Sequence, residues 1–224
     1  MNTAIIVAAG SGTRFGAMVP KQFLEILGKP LVVHTLEQFE FCPAIDEIIL
    51  VLPLEETEKF SNVVKPYKLK KLTNAISGGR TRAESVFNGL NAIDAESAEI
   101  IAVHDGARPL VTTEEITGTI EKARETGAAC LVAAVTDTIK EVANGKIVET
   151  IDRNSLKRAL TPQAFRFEII KSAFENADLS ETATDECFLV ENAGYEIHFV
   201  EGSARNIKIT HQEDLALAKF LLKN

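Results

Sequence analysis

Short apolar runs alternate with helical patterns along most of the chain. Thr3–Ala8 reads as a strand, and a helix follows around Leu31–Phe39. Glu47–Leu52 ("EIILVL") precedes a polar helix near Glu55–Val64. Leu72–Ser77 ("LTNAIS") precedes a helix carrying Val86, Leu90 and Ile93 at i, i+4 and i+7. Glu99–His104 ("EIIAVH") leads to a helix opened by a Thr112-x-x-Glu115 capping box and stopped by Gly127. Ala129–Val135 ("ACLVAAV") is one more buried strand. The strands are continuously apolar, not alternating, so both of their faces are covered. Such strands interleaved with helices predict an α/β fold with a mostly parallel sheet.

The pattern breaks at Thr136–Ile151. "TIKEVANGKIVETI" is two alternating strands about Asn144-Gly145, a pair suited to a type I′ hairpin turn. The hairpin has no core of its own. It is either a solvated ribbon or an arm that packs on a second subunit. An isolated two-stranded ribbon is marginal in water, which favours the arm. Beyond it come a helix near Phe167–Asn176, another starting at Thr184, and a strand at Glu196–Glu201. The last helix has a Thr210-x-x-Glu213 capping box and an apolar face of Leu217, Phe220 and Leu221. No Gly-, Pro- or Ser-rich linker divides the 224 residues, which reads as one domain with an inserted arm at about 136–155.

The net charge of −8 argues against a general nucleic-acid-binding surface, and it makes any local cluster of Arg and Lys stand out. Cys42, Cys130 and Cys187 are widely spaced, with no paired metal spacing, and read as packing residues or inert thiols. The N-terminal stretch lacks a charged segment before a long apolar one. No run approaches the ~20 apolar residues of a membrane span. The expectation is a cytoplasmic protein with no membrane or nucleic-acid partner.

Candidate chemistry begins with "VAAGSGTRFGAMVPKQ", after the first strand. Gly10, Gly12 and Gly16 follow G-x-G-x-x-x-G, which is neither the dinucleotide fingerprint nor the P-loop. The glycines alone are compatible with a tight turn that binds nothing. Arg14 and Lys21 lie in the same connection. A guanidinium fork and an ammonium beside close-approaching backbone N–H groups suit a polyphosphate. Lys21 could also be a solvated surface lysine.

With "PKQFLEILGKPLVVHTLEQF" added, this opening resembles the sugar- and polyol-phosphate nucleotidylyltransferases. More narrowly it resembles the 2-C-methyl-D-erythritol 4-phosphate cytidylyltransferase family. "SGGRTRAESVFNGL", "VHDGARPLV", "VTDTIK", "IDRNSLKRALTPQAF", "ATDECFLVENAG" and "VEGSARNIKITHQEDL" follow in register over nearly the whole chain. The resemblance implies a Rossmann-like, three-layer nucleotidyltransferase fold and a homodimer completed by the hairpin arm. It also implies CTP and methylerythritol phosphate as ligands, with Mg²⁺ on Asp105. Arg14, Lys21, Arg153 and Lys208 would be catalytic, Arg153 reaching across from the partner subunit. Ala8, Ala9, Gly10, Gly12, Gly78, Gly79, Ser85, Asp105 and Gly106 would hold the nucleotide, Ser85 by its base. Thr138, Arg153, Thr161, Thr184, Arg108 and Lys208 would line the second substrate. His104 is assigned no chemistry, and the role of Arg80 is left open. Many relatives carry a Trp before "TPQ" and an acidic residue before "NIK". This chain has no Trp, and Arg205 stands at the second position. Ribitol 5-phosphate cytidylyltransferase and a non-catalytic nucleotide-binding module are the competing readings.

Overall fold

The computed structural model describes residues 1–10, 21–179 and 183–223. Its strands are β1 (Asn2–Val7), β2 (Glu25–Ile26), β3 (Lys29–Pro30), β4 (Glu47–Leu52), β5 (Leu72–Ser77), β6 (Ile100–Asp105), β7 (Ala128–Ala134), β8 (Ile139–Ala143), β9 (Lys146–Ile151), β10 (Lys157–Arg166) and β11 (His198–Glu201). Its helices are α1 (Leu31–Phe41), α2 (Thr57–Val64), α3 (Arg82–Asn91), α4 (Thr113–Thr126), α5 (Phe167–Glu175), α6 (Glu186–Asn192) and α7 (Gln212–Leu221).

Seven strands form one sheet in the order β11-β7-β10-β6-β1-β4-β5. The pairs β1–β4, β1–β6, β4–β5 and β7–β11 are parallel, and β10 runs antiparallel between β6 and β7. Burial on both faces explains the uninterrupted apolar strands. In β1, Ala4 and Ile6 pack toward α1 and α4 with Leu36, Phe39 and Ile120. Ile5, between them, packs on the other face with Val86, Leu90, Ile170 and Phe174 of α3 and α5. Each buried side chain of this size contributes about 1.5–3 kcal/mol, so the two faces together carry most of the cohesion.

Local signals hold at several joints. Thr112 and Glu115 make the capping box of α4, which ends at Gly127 with φ 99°. Thr81 caps α3 by accepting from the Glu84 N–H at 3.0 Å. The β8–β9 hairpin turns at Asn144 and Gly145, with φ 50° and 75°, as a type I′ turn requires. It forms a separate two-stranded sheet, and Val142, Ile147 and Val148 on it are exposed.

Four features depart from the expectation. The first is β10, a ten-residue strand inside the sheet. The sequence reading assigned no strand there, because Lys157, Arg158 and Pro162 interrupt the apolar pattern. The pairing with β7 shifts register between Ala159 and Gln163, and Pro162 falls within that irregularity. A proline has no N–H for the ladder and is accommodated at such a break. The second is the cap of α7. Asp214, not Glu213, accepts from the Thr210 and His211 N–H groups, at 2.7 and 2.8 Å. The third is the face of α7: Leu217 and Phe220 are exposed, and Ala218 is the buried contact. Ile93 also lies just past the end of α3, which stops at Asn91.

Candidate active site

The chain order reverses between β1 and β6: β4 and β5 lie to one side of β1, and β6 lies to the other. Ligands of open α/β sheets bind beyond the carboxyl ends of the strands at such a switch point. A cavity of about 490 Å³ opens there. Ala8 to Gly10 after β1, Gly79 to Arg82 after β5, and Asp105 to Ala107 at the end of β6 form its walls, with Gln22, Ser85 and Lys208.

The walls are packed tightly. A Cβ at Gly78 would stand 2.5 Å from the Ala9 Cβ and 2.7 Å from the Ser85 Oγ. At Gly106 it would stand 2.9 Å from the Ala8 Cβ. These glycines let the three loops meet, which accounts for them before any ligand is considered. The Ser85 hydroxyl donates to the Thr81 carbonyl at 2.9 Å and accepts from the Gly79 N–H at 3.1 Å. One acceptor lone pair remains for a ligand.

Asp105 is the electrostatic centre. Its Oδ1 pairs with Arg82 Nε at 3.2 Å, and its Oδ2 pairs with Arg108 Nε at 3.1 Å and Lys208 Nζ at 2.9 Å. Burial raises the carboxyl pKa, but Arg82, Lys208 and Arg108 outweigh it and hold Asp105 well below the usual carboxylate range. Arg82 also pairs with the buried Glu186 at the start of α6. Burial opposes the Arg82 charge, and Glu186 with Asp105 more than compensates. Burial raises the Glu186 carboxyl, with Arg82 pulling against it. The result is a cluster of paired charges at one end of the cavity.

Beneath it, Thr161 is buried. Its Oγ1 accepts from the Asp105 N–H at 3.1 Å and lies 3.0 Å from His104 Nδ1. This hydroxyl supports the Asp105 strand end, and Thr161 does not border the cavity within one subunit. Buried His104 contacts the Arg108 carbonyl through Nε2 at 3.1 Å, and burial lowers its pKa to about 3. It stays neutral at ordinary pH, in keeping with a packing role.

The other expected site residues are distributed unevenly. Ala8, Ala9, Gly10, Gly79, Ser85, Asp105, Gly106 and Lys208 border the cavity. Arg108 does not border the cavity itself but pairs with Asp105, which does, and its Nη1 donates to the Asn206 carbonyl at 2.8 Å. Thr184 opens instead onto a second, smaller cavity between β7, β10 and α6. Thr138 is exposed beside the hairpin, and exposed Arg153 donates to the Thr136 carbonyl at 2.6 Å. Neither borders the main cavity within one subunit. Arg14 and Gly12 lie outside the described residues. Lys21 opens a short turn, Lys21–Phe23, and its side chain lies outside what the structure describes.

Two participants escaped the sequence reading. Arg82 was passed over beside Arg80, since nothing in "GGRTRAES" tells which arginine turns inward. The structure shows Arg80 on the surface, paired with Glu84 at 2.9 Å. Glu186 had no local signal, because its role comes only from Arg82, a distant residue in the chain.

Asp105 suits a metal only in company. Among the described residues, no three His, Cys, Asp or Glu side chains gather as a cluster. Three cations already face Asp105, and Glu186 is committed to Arg82. That donor set fits Mg²⁺ held jointly by Asp105 and the oxygens of a bound polyphosphate, the usual arrangement for this ion.

Fold and cavity together define a doubly wound α/β protein with a phosphate-adapted pocket at its switch point, the layout of the nucleotidyltransferases. The profile of the family "2-C-methyl-D-erythritol 4-phosphate cytidylyltransferase" matches residues 2–224. The chain belongs to that family, and it is a cytidylyltransferase. It is 42% identical over 225 residues to the 2-C-methyl-D-erythritol 4-phosphate cytidylyltransferase of Bacillus licheniformis, covering 100% of this chain and 96% of that one. It is 44% identical over 224 residues to that of Alkaliphilus metalliredigens, covering 98% and 92%. Among solved structures, the 4-diphosphocytidyl-2C-methyl-D-erythritol synthase of Anaerococcus prevotii superposes with a TM-score of 0.87 at 30% identity, covering 100% of this chain and 96% of that chain. The 2-C-methyl-D-erythritol 4-phosphate cytidylyltransferase of Francisella tularensis gives 0.82 at 32% identity, covering 98% and 99%.

Proposed function

We propose that this protein transfers CMP from CTP to 2-C-methyl-D-erythritol 4-phosphate in the non-mevalonate isoprenoid pathway, releasing pyrophosphate. The observation that carries the chemistry is the convergence of Arg82, Arg108 and Lys208 on Asp105 beside the switch-point cavity. Without ligand, two buried carboxylates, Asp105 and Glu186, face the three cations. A polyphosphate entering the cavity brings the negative charge that such a cluster is built to receive.

In the reaction, an oxygen of the acceptor's 4-phosphate attacks the α-phosphorus of CTP. A new P–O bond forms as the bond to the bridging α–β oxygen breaks, and the electron pair leaves with pyrophosphate. The monoester is already anionic near neutral pH, so no general base is needed. Buried, neutral His104 is thus left to packing. Catalysis rests on positioning and charge neutralisation. Ser85 and the backbone of Gly78 and Gly79 face the cytidine. Lys208, the most exposed of the three cations, turns from Asp105 toward phosphate. Arg82 and Arg108 stay in place, because Glu186 and the Asn206 carbonyl hold them from behind. Arg14 and Lys21 act on the α-phosphate and leaving group. A magnesium ion bound by Asp105 and the triphosphate would neutralise phosphate charge.

The hairpin arm, residues 136–155, supports a homodimeric reading. It lifts Val142, Ile147 and Val148 into solvent on a two-stranded sheet, surface that a second subunit would cover. In that dimer Thr138 and Arg153 would complete the neighbour's acceptor site. The three cysteines are unpaired and buried, which fits the reducing cytoplasm. Among the described residues no helix is long and apolar enough to cross a membrane.

The test is pyrophosphate release with CTP and Mg²⁺, comparing methylerythritol 4-phosphate with ribitol 5-phosphate. Release with the first and not the second is expected. Release only with ribitol 5-phosphate would overturn the acceptor assignment. Silence with both, from a folded protein that binds CTP, would overturn catalysis.

A further inference from the structure

We infer that the Gln22 carboxamide is a ligand-binding group that donates from Nε2 to a phosphate oxygen in the switch-point cavity. Gln22 sits in the middle of the Lys21–Phe23 turn. That turn is anchored by Phe23, whose ring lies 5.9 Å from Phe60, and by the packing of Phe23 against the core that contains Phe60. Gln22 itself is only 2% exposed, yet it borders the cavity alongside Asp105, Arg82 and Lys208. Its Nε2 is buried and has no hydrogen-bond partner among the described residues. The other such atom is Asn206 Oδ1, an acceptor, and Asn206 does not border the cavity.

A buried amide donor is almost always satisfied, because an unmade hydrogen bond costs the full desolvation of the group. A glutamine that merely filled space here would be replaced at no loss by an apolar side chain of the same length. An unpaired buried donor on a residue that borders a cavity is explained by an acceptor that arrives with the ligand. The neighbouring cations Arg82 and Lys208 make that acceptor anionic, and the cavity's ligand on the proposed reading carries phosphate. The inference rests on that reading. Because Gln22 is neutral, it adds a directed hydrogen bond without adding charge, fixing which oxygen of the phosphate faces the cation cluster. The phosphate belongs either to the nucleotide or to the acceptor.

The experiment compares wild type with Gln22→Met, which keeps length and burial but removes the donor. Calorimetric titration with CTP, competition by cytidine, and KM for the phosphorylated acceptor are measured together with ligand-free melting. The expected result is a ten- to hundredfold loss of affinity, the range of one hydrogen bond to a charged group. The ligand-free variant should melt at or above the wild-type temperature, since a buried unpaired donor has gone. Loss toward CTP with cytidine unchanged puts the bond on a nucleotide phosphate. Loss confined to the acceptor's KM puts it on the acceptor's phosphate. Cytidine weakened in the same proportion as CTP would move the donor to the nucleoside and overturn the phosphate assignment. Unchanged affinity for every ligand overturns the inference, and a lowered melting temperature with it would identify Gln22 as a packing residue. If Gln22→Met does not fold, Gln22→Glu serves: its carboxylate should repel phosphate more strongly still, and wild-type affinity would again overturn the inference. A wild type that binds no CTP overturns the functional reading itself, whereas one that binds CTP and is matched by the variants overturns only the role of Gln22.

Discussion

Replacing Asp105 with Asn keeps the shape of the side chain and removes the one charge that three cations share. The cost depends on how desolvated the partners are. Asp105 is 8% exposed and Arg108 12%, whereas Arg82 and Lys208 are 26% and 36% exposed at their side chains. Breaking a fully buried pair costs about 3–5 kcal/mol. Solvent screens Lys208, and Arg82 keeps Glu186, so the loss belongs at the lower end, about 3 kcal/mol. For a chain of this size that corresponds to a fall in melting temperature of about 6–12 °C. Pyrophosphate should recover much of the fall, because it returns negative charge to the same cations. A ligand at a hundred times its Kd adds about 2.7 kcal/mol. Turnover should not recover, since the Asp105→Asn side chain would neither order the cations nor hold the proposed magnesium at the reacting phosphate, and losing one such electrostatic contact costs on the order of 10²–10³ in rate. The assays are a melting curve with and without pyrophosphate, and pyrophosphate release with CTP. A ligand-free Asp105→Asn protein that melts within about 2 °C of wild type would refute the argument that this carboxylate holds the cations in place.

His104 sets a second expectation, in pH. Its pKa falls from 6.5 to about 3 on burial, so the unfolded chain binds a proton that the folded chain refuses between those values. Stability is therefore complete above pH 6.5 and declines as pH falls, by about 1.4 kcal/mol per unit. Urea unfolding at pH 6.5 and 4.5 should differ by about 2–3 kcal/mol, and His104→Asn should flatten the difference; an equal slope in the variant would remove His104 as the cause. Asp105, depressed below 3.8, adds its own loss only in stronger acid. For the hairpin, changing Val142, Ile147 and Val148 together to Ser should turn a dimer into a monomer by sedimentation and abolish turnover. A fully active monomer would sink the idea that the arm completes a neighbouring site.

Much of this was legible from the chain alone. Continuous apolar runs revealed β1, β4, β6 and β7 to within about a residue, since a strand buried on both faces can tolerate little else, and the edge strand β5 was legible from its place between two helical patterns. Thr112, Glu115, Gly127, Asn144 and Gly145 marked their caps and turns because each satisfies a backbone requirement set by its immediate neighbours. What local pattern could not supply was everything settled by residues distant in sequence. Strand β10 is polar at its start and broken by Pro162, and it becomes a strand only because β6 and β7 offer it ladders on both sides. Leu217 and Phe220 have the spacing of a buried face, yet the neighbours of α7 leave them outside. Arg82 turns inward because Asp105 and Glu186 wait there, 23 and 104 residues further along. Thr161 supports Asp105 and contacts His104, two partners that its own neighbours in the chain do not announce. The sequence by itself determined the layers, the glycine-bordered switch point and the family. Only the tertiary structure decided which charges meet and which donor, Gln22, is left without a partner among the described residues, because ion pairing and burial depend on distances in space that spacing along a chain does not encode.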